Sequence, residues 1–580
     1  MATTLISPGV ISIENDTSQV RQQPVTVGAA IIGPAVKGPL EIPTIVTSYS
    51  DYQNKFGTTF VSGSDVYTYF TSIAAYNYFN NGGESLLVAR VASASSTWTF
   101  ATTATASAGN SAIKSIIGNN EVFVLETLAK GAIMNSSSSI DSAGSLVSGS
   151  ADNVRWEIVN SNTSSGTFNL LIRRGNDNTL TPTILETWTN LSLDPFSPNY
   201  ISSVIGDYTY AYNSTKIQIE LTGSYPNASR YVRVKSVILT TPNYFDNSGV
   251  PKTAFTSSIP AVASGSFSGG VGALFGSGPG ITAAKYYDNI ALASTQGLIG
   301  TDYTNMINLL SNTDDYKFNL LLTPGLCDSL HTSQCTSIIS NTANRGDNLY
   351  VLDLVPYNST TTAVTGQAAS RNNSYAASYW PWVQTQDPDS GKNVWVPAST
   401  LMAGVFAYND KVAEPWFAPA GINRGGLTSV IRAEQKLTQS DRDTLYQGKV
   451  NPIATFPGQG VVAYGQKTLQ TQASALDRVN VRRLLISLKS YIGQTANALV
   501  FEQNTLATRN QFLAQVNPYL QSVQQRQGLY AFKVVMDESN NTADVIDRNQ
   551  LVGAIYIQPT RTAEFIYLNF NIMPTGVAFS

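Results

Sequence analysis

The two cysteines and the single histidine of this chain are the first residues to consider for chemistry. Cys327, His331 and Cys335 lie close together, and thiolate and imidazole groups are the usual ligands of zinc. A structural zinc site has four ligands, whereas Cys-x7-Cys with one central histidine supplies three, at a spacing outside the common motifs. We therefore expect two buried thiols beside a loop histidine rather than a metal site.

A glycine-rich stretch that begins at Gly458, GQGVVAYGQKT, has the outline of a phosphate-binding loop. In that motif the lysine follows the glycine directly, so that its ammonium group reaches the β and γ phosphates. Here Gln466 separates Gly465 from Lys467, which breaks this requirement. A second glycine cluster, residues 269–280, has irregular spacing and is typical of a linker. We expect no bound nucleotide and no other cofactor.

Composition narrows the range of partners. The net charge is −3, and charged residues make up 13% of the chain, about half of ordinary usage. A surface this neutral carries no electrostatic footprint for nucleic acid. No stretch has the ~20 apolar residues of a membrane span, and the first residues lack the basic start and apolar core of a signal peptide. We expect synthesis in a cytosol, reduced thiols and no stable membrane insertion.

The elements that would position these residues fall into several domains, as 580 residues require. Residues 25–91 mix strands with a helix in SDVYTYFTSIAAYNYFNNGG, which Ser64 or Asp65 can cap. Residues 92–270 are rich in Ser, Thr and Asn with short alternating segments, which indicates an inserted β-rich domain. The α/β pattern resumes over residues 271–427, where the apolar runs KFNLLLTPG and NLYVLDLVP predict strands of a parallel sheet buried on both faces. Residues 428–573 predict an α+β domain with its sheet at the end.

Both ends of the chain have the apolar, strand-like pattern of segments that bind other subunits. Ile566, Leu568, Phe570 and Ile572 alternate with polar residues, as in a half-buried strand, so Glu564 to about Ile572 is predicted to close the chain's own terminal sheet. The apolar end that follows, residues 574–580, and the N-terminal segment, residues 1–24, are predicted to be extended arms that add to sheets of other subunits. The arm candidates are Val10, Ile11, Ile13, Thr575, Val577 and Phe579. Two such ends suggest a subunit that forms polymers.

An ordered series of segments over most of the chain outside residues 92–270 resembles the contractile tail sheath proteins of bacteriophages. The segments are SPGVISIEND, GPAVKGPLEIPTIVTSYSDYQNKFG, FNNGGESLLVARV, NLYVLDLVP, VPASTLMAGVFAYNDKVAEPWFAPAG, LYQGKVNPI, VNVRRLLISLKSYI, FEQN and QPTRTAEFI. One such segment would be weak evidence, but the ordered series is specific.

The resemblance implies a structural, non-enzymatic subunit with a multidomain α/β and α+β fold. Such subunits stack in six-fold rings around a tail tube and contract without nucleotide, driving the tube through the host envelope. The implied partners are further copies of the chain, the tail tube protein, and the baseplate and tail terminator proteins. The implied location is the virion tail, assembled in the bacterial cytoplasm.

The α/β part of sheath proteins resembles subtilisin-type proteases, so a catalytic site must be considered. A triad requires an imidazole base oriented by a carboxylate and a nucleophile within reach. His331 is the sole imidazole, and Ser399 lies where such proteases place a serine at the start of a helix. Pro397, Ser399 and Thr400 are also ordinary residues for a helix start, and we expect no catalytic site.

The long helix that begins near Leu476 carries Arg478, Arg482 and Lys489 on one face, beside an apolar stripe. One reading is a basic ridge that faces an acidic tail tube, since the last domain of the family lines the sheath lumen. The other reading is that these cations extend over the core stripe of their own domain. The residues leave both readings open.

Alternatives remain open for the role of the inserted domain and for the function of the whole chain. Trp98, Trp156 and Trp188 of the insert are most simply core residues, although an outer decoration that binds host sugars is also conceivable. The whole chain could instead be the sheath of a phage-derived bacteriocin or of another contractile injection system. A surface-layer or adhesive β-rich protein would require secretion, and a degenerate subtilisin-type hydrolase would require a triad.

Overall fold

The computed structural model describes residues 25–62, 65–103, 121–272, 287, 290–292 and 294–566. Both predicted arms lie outside these residues, and so do all six arm candidates: Val10, Ile11, Ile13, Thr575, Val577 and Phe579. The fold is mixed α/β, with one large sheet, a second large antiparallel sheet and several small ones.

The large sheet has eight strands, of which the central ones run parallel. Across the sheet they are β2 (Thr44–Val46), β5 (Leu86–Arg90), β1 (Val25–Gly33), β17 (Tyr316–Cys327), β18 (Leu349–Asp353), β19 (Ala376–Trp380), β23 (Asn451–Phe456) and β24 (Gly460–Ala463). The strands β2 and β24 at the two edges are antiparallel to their neighbours. Every residue of β5, β18 and β19 is buried, because a parallel sheet is covered on both faces. The predicted parallel sheet is confirmed.

Helices cover both faces of this sheet. Ala29 and Ile31 of β1 point into one core and Ala30 and Ile32 into the other, as the two-residue period of a strand requires. The first core receives α1 (Tyr49–Phe56), α2 (Phe70–Asn80) and α8 (Ser399–Val412). The second receives α5 (Thr304–Leu309), α6 (Thr332–Arg345), α7 (Thr361–Ala369) and α9 (Gln439–Gln447).

The start of α2 differs from the prediction. The helix begins at Phe70, and Asp65 belongs to a strand, β4 (Asp65–Thr68), which pairs antiparallel with β3 (Thr59–Ser62). The amide of Phe70 donates to Gln296 Oε1 at 2.9 Å, so a residue distant in sequence satisfies the first turn. A local cap at Ser64 or Asp65 is therefore wrong.

The second large sheet takes its seven strands from the segment between Phe100 and Ser268. Their order is β10 (Ile184–Ser192), β9 (Thr167–Arg174), β8 (Val154–Asn162), β14 (Ala263–Ser268), β6 (Phe100–Thr103), β7 (Phe123–Lys130) and β13 (Val232–Val237). The same segment holds the short helices α3 (Ile201–Ile205) and α4 (Thr253–Thr256) and the hairpin β11 (Thr209–Asn213) and β12 (Gln218–Thr222).

Tryptophans anchor this β-rich segment. Trp156 is buried in its core, Trp188 packs at the margin of that core, and Trp98 is buried near the junction with the large sheet. The guanidinium of Arg90 lies 5.0 Å from the ring of Trp98, and the amide of Thr99 donates to the carbonyl of Val271 at 3.0 Å. The described ends of the segment, at Thr99 and Val271, therefore lie side by side.

Small sheets complete the α/β part. One has the order β21 (Asn393–Val396), β20 (Val383–Gln386) and β22 (Val430–Ala433), and another consists of β15 (Ile290–Ala291) and β16 (Ser294–Thr295). The predicted boundary between residues 427 and 428 does not coincide with the end of the eight-stranded sheet, because β23 and β24 follow it. The other predicted boundaries stay predictions.

The last part of the chain packs two long helices against a hairpin. Its elements are α10 (Val479–Asn497), α11 (Leu506–Gln525), α12 (Ala543–Asp547), β25 (Leu529–Val535) and β26 (Ala554–Pro559). Leu484, Phe512, Val516 and Leu520 form their common core. Within the described residues, no helix combines the length and the apolarity that a membrane span requires.

The predicted terminal strand from Glu564 to Ile572 is wrong for its described part. Residues 561–566 have no regular secondary structure, and the sheet ends with β26. The side chain of Glu564 is hydrogen-bonded away from the hairpin, to Tyr446 and Arg478, which holds the backbone off the edge of β25 and β26. The remainder of the predicted strand, residues 567–572, lies outside the described residues.

Candidate functional site

The candidate triad residues lie at the carboxyl ends of β17 and β18 but have different partners. Ser399 donates through its amide and its hydroxyl to the two carboxylate oxygens of Asp353, at 3.1 and 2.5 Å. Nδ1 of His331 accepts the amide hydrogen of Cys327 at 3.2 Å, and burial lowers the pKa of this imidazole. The hydroxyl of Ser399 is thus bonded to Asp353 and not to His331. The acceptor nitrogen of His331, which a general base would use to take the serine proton, already accepts the backbone amide of Cys327. Ser399 begins α8, as a helix-start residue does.

The two thiols are free and buried. Burial raises the pKa of both Cys327 and Cys335 far above the ordinary value, so both are protonated at neutral pH. Because the thiolate is the form that binds metal or attacks an electrophile, neither cysteine is prepared for that chemistry. Across the described ranges, no group of three or more His, Cys, Asp and Glu side chains could hold a metal ion.

The glycine-rich stretch from Gly458 forms strand β24 and a turn. Its lysine, Lys467, donates through Nζ to the carbonyl of Tyr446 at 2.8 Å and lies 4.3 Å from the centre of that ring. Burial and the neighbouring Arg478 lower the pKa of Lys467. The cation that a phosphate loop would offer to a nucleotide is therefore used inside the chain.

The three cations of the predicted ridge are placed differently. Arg478 forms a two-pronged ion pair with Glu564, at 2.7 and 3.0 Å, and also contacts Asp477. Arg482 is 4% exposed, its guanidinium lies 3.9 Å from the ring centre of Tyr375, and it donates to the hydroxyl of Ser374. Lys489 is exposed and donates to the hydroxyl of Tyr375 at 3.2 Å. The single chain already engages all three, Lys489 by one exposed hydrogen bond alone, and the contact with a tube stays a prediction.

A fourth cation of α10 was missed by sequence reasoning. Arg483 pairs with both carboxylate oxygens of Asp410, at 2.8 and 2.5 Å, and lies 4.9 Å from the ring of Phe406. Both partners belong to α8, which packs on the eight-stranded sheet. Since planar guanidinium groups stack on rings and bind carboxylates with two hydrogen bonds, the arginines of α10 fix this helix to the sheet unit.

The terminal hairpin has free edges. Strands β25 and β26 pair antiparallel, and in the described part of the chain neither has a second neighbour. Phe532, Val534, Ile555 and Ile557 pack only partly against the core around Leu520. A two-stranded sheet is marginal by itself, and its unpaired amide and carbonyl groups favour the addition of further strands.

The segment after the hairpin borders an open groove of about 520 Å³. Arg561–Phe565 form one side, and residues from Ala473 to Val481 form the other. Glu564 lies between them and accepts hydrogen bonds from Tyr446, Gln466 and Arg478. Sequence reasoning missed this role, although Glu564 is the one acidic residue between Asp547 and the end of the chain.

Two adjoining family models match the part of the chain that holds these features. Residues 296–469 match the phage tail sheath protein central domain, and residues 471–573 match the phage tail sheath C-terminal domain. Residues 296–573 thus match the domains of the phage tail sheath family. The two sheath matches meet just beyond β24, where the eight-stranded sheet ends.

Curated sheath proteins show the same relationship over part of the chain. The tail sheath protein of Vibrio phage KVP40 is 45% identical over 194 residues, which cover 33% of this chain and 29% of that protein. The tail sheath protein of Enterobacteria phage T4 is 43% identical over 187 residues, which cover 32% of this chain and 28% of that protein. The chain thus matches less than a third of the length of each of these two relatives.

A solved structure extends the likeness of fold to nearly the whole chain. The sheath tail protein of Listeria innocua aligns with a TM-score of 0.53 at 11% identity, over 92% of this chain and 95% of that one. An identity this low supports a shared sheath fold and nothing beyond it.

Proposed function

We propose that this protein is the structural, non-enzymatic subunit of a contractile phage tail sheath. Copies of the chain polymerise as hexameric rings stacked helically around a tail tube, and contraction of the lattice drives the tube through the host envelope. The observation that carries the proposal is the ordered match of residues 296–573 to the central and C-terminal sheath domains. Its partners would be the tube, baseplate and tail terminator proteins, and it would be assembled in the bacterial cytoplasm as part of the virion tail.

The sheath of a bacteriocin or other contractile injection system is the alternative within the same mechanical class. Both curated relatives described above are phage proteins, which favours a phage tail. We further propose that the α/β part is a subtilisin-like domain without catalytic function, in which the buried pair of Asp353 and Ser399 serves the fold. We place the start of the C-terminal sheath domain near residue 471 rather than 428.

The extended arms would join neighbouring subunits by adding strands to the free edges of β25 and β26. Ile11 and Ile13 of one arm and Val577 and Phe579 of the other alternate as apolar residues of a half-buried strand do, and Val10 and Thr575 are the remaining arm candidates. The two-stranded hairpin supports this proposal, because additional strands would complete an otherwise marginal sheet. Backbone ladders of this kind could persist while the lattice rearranges.

The tube-facing surface would lie on α10. Among the predicted ridge residues Arg478, Arg482 and Lys489, the last is exposed and held by one hydrogen bond to Tyr375, so it can reach an acidic tube, while the two arginines hold the helix in place. Replacing Lys489 by glutamate should impair copolymerisation with tube protein and leave the subunit folded. Unchanged copolymerisation would contradict the assignment of Lys489.

Electron microscopy of the purified full-length chain tests the main proposal. Hollow, helically striated tubes are expected, alone or around added tube protein. A variant that lacks residues 574–580 should give folded subunits that fail to elongate. Persistent monomers of the intact chain under all assembly conditions would refute the sheath function.

A further inference from the structure

The segment that follows the terminal hairpin is held mainly by the side chain of Glu564. Residues 561–566 lack regular structure, and the side chains at the end of this segment, Phe565 and Ile566, are 68% and 77% exposed. The side chain of Glu564 between them and the hairpin is only 18% exposed. This irregular segment is therefore fixed mainly at the partly buried Glu564, with one further hydrogen bond at Thr562.

Four contacts fix the carboxylate of Glu564. Arg478 donates from Nε and Nη2 at 2.7 and 3.0 Å, Tyr446 donates from its hydroxyl at 2.7 Å, and Gln466 donates from Nε2 at 3.0 Å. The same amide of Gln466 also contacts the hydroxyl of Thr562 at 2.5 Å. Charge-assisted, two-pronged pairs of this type are the stronger hydrogen bonds of proteins. We call Glu564, Arg478, Tyr446 and Gln466 the Glu564 clamp.

Glu564 and Arg478, the two titratable partners of the ion pair in the Glu564 clamp, are both charged at neutral pH. Burial alone would raise the pKa of Glu564, but the hydrogen bonds of Arg478 and Tyr446 and the charge of Arg478 bring it below its ordinary value. Burial likewise opposes the charge of Arg478, yet its hydrogen bonds to Glu564 raise its pKa. Asp477 and Lys467, which also face this site, balance each other in charge. The ion pair therefore persists under ordinary assembly conditions.

The three residues that donate hydrogen bonds to Glu564 lie outside the β25 and β26 hairpin. Tyr446 lies in α9, Gln466 follows β24, and Arg478 immediately precedes α10, so all three donors belong to the sheet unit or its junction with α10. Residues 561–566 are nonetheless connected along the chain to β26. Tension applied beyond residue 566 would reach either the clamp or β26, and a pull on the end of an antiparallel hairpin breaks its ladder one hydrogen bond at a time.

We infer that the Glu564 clamp anchors the C-terminal segment to the eight-stranded-sheet unit, so that the pull of a second copy of this chain bypasses the β25 and β26 hairpin. The clamp presents four contacts to the load together, whereas the hairpin would present its bonds in sequence. The hairpin is thereby kept intact as an acceptor of strands. The inference rests on the proposed polymer, because the load arises when the neighbouring subunit binds residues 567–580.

The test compares Glu564→Ala with wild type as full-length chains, before and after assembly. We expect unassembled subunits with the same amide hydrogen exchange in β26 for both chains. In assembled tubes the exchange of β26 should rise in the variant alone, and the critical concentration for tube formation should rise about tenfold, the factor equivalent to 1.4 kcal/mol. Tyr446→Phe, which removes one donor, should shift both quantities in the same direction by less. Glu502→Ala is the matched control, since Glu502 is exposed on the loop between α10 and α11.

The outcomes separate the clamp from the sheath function. Wild-type critical concentration and wild-type β26 exchange in the Glu564→Ala tubes would overturn the inference. Faster β26 exchange in the unassembled variant would also overturn it, because Glu564 would then be a simple contact of the fold. Wild-type chains that never form tubes would refute the proposed function, and the clamp inference with it.

Discussion

Replacement of Arg482 distinguishes packing from tube contact on α10. Its side chain is buried, stacks on Tyr375 and donates to Ser374, while burial lowers the pKa of the guanidinium. The stack contributes up to about 2 kcal/mol and the hydrogen bond about 1.5 to 3 kcal/mol. Against these gains stands the cost of removing the charge from water, which is several kcal/mol in real proteins. The favourable contacts of Arg482 and its desolvation cost therefore nearly cancel.

The two variants of Arg482 should therefore differ. In Arg482→Met the apolar side chain keeps contact with Tyr375 and removes the desolvation cost, so we expect a change in local stability within about 1 kcal/mol. In Arg482→Ala the lost volume leaves a cavity under α10, and we expect a loss of about 3 kcal/mol. Lys489→Met, at the exposed position, removes one hydrogen bond to Tyr375 and should stay within about 0.5 kcal/mol, so it is the control for stability alone.

Amide hydrogen exchange of α10 in unassembled subunits measures these differences, because the chain has several folding units and a single unfolding transition would average over them. Sedimentation with tube protein is measured in parallel. Undiminished protection of α10 in Arg482→Ala, together with loss of tube binding in Arg482→Met, would refute the packing role and favour a direct tube contact by Arg482.

Three further predictions follow from single side chains. Burial raises the pKa of Asp353 from 3.8 to about 7, so the folded chain retains a proton that the unfolded chain loses, and stability should fall on the order of 4 kcal/mol as the pH rises from about 4 to about 7. Asp353→Asn should accordingly gain melting temperature over wild type at pH 8 and show little gain at pH 5; an equal difference at both values would contradict this. Ser399→Ala removes a donor to that carboxylate and should cost about 1 to 3 kcal/mol in thermal or denaturant unfolding, and an unchanged midpoint would count against the contact. Phe501 is fully exposed with φ of 72°, so Phe501→Gly should stabilise the unassembled subunit by about 1 kcal/mol, and a loss of stability would show that the ring has a partner within the chain.

The sequence predicts the eight-stranded sheet well because the physics of its strands is local. The runs LLVA, residues 86–89, and LYVL, residues 349–352, are apolar throughout, which is typical of strands covered on both faces. The start of α2 was missed because Val66, Tyr67 and Thr68 have the β-branched and aromatic character of a strand, and the partner of the helix end, Gln296, is far away in sequence.

The candidate site is less predictable because its contacts join distant residues. Helical periodicity places Arg478, Arg482 and Lys489 on one face, but it does not reveal that Tyr375 covers the second or that Glu564 pairs with the first. A charge on a helix face looks the same in sequence whether solvent, a partner or another domain lies opposite. Pairing over such separations becomes visible only when the packing of α10 on the sheet unit is known.

The hydrogen bond between Thr99 and Val271 has an evolutionary consequence. Because the β-rich segment begins and ends at neighbouring points, exchange of that segment for another of different length changes neither the spacing nor the direction of the strands around it. Recombination at this position could therefore exchange the β-rich segment while the eight-stranded sheet stays constant. The same two residues mark where a foreign domain could be grafted for display.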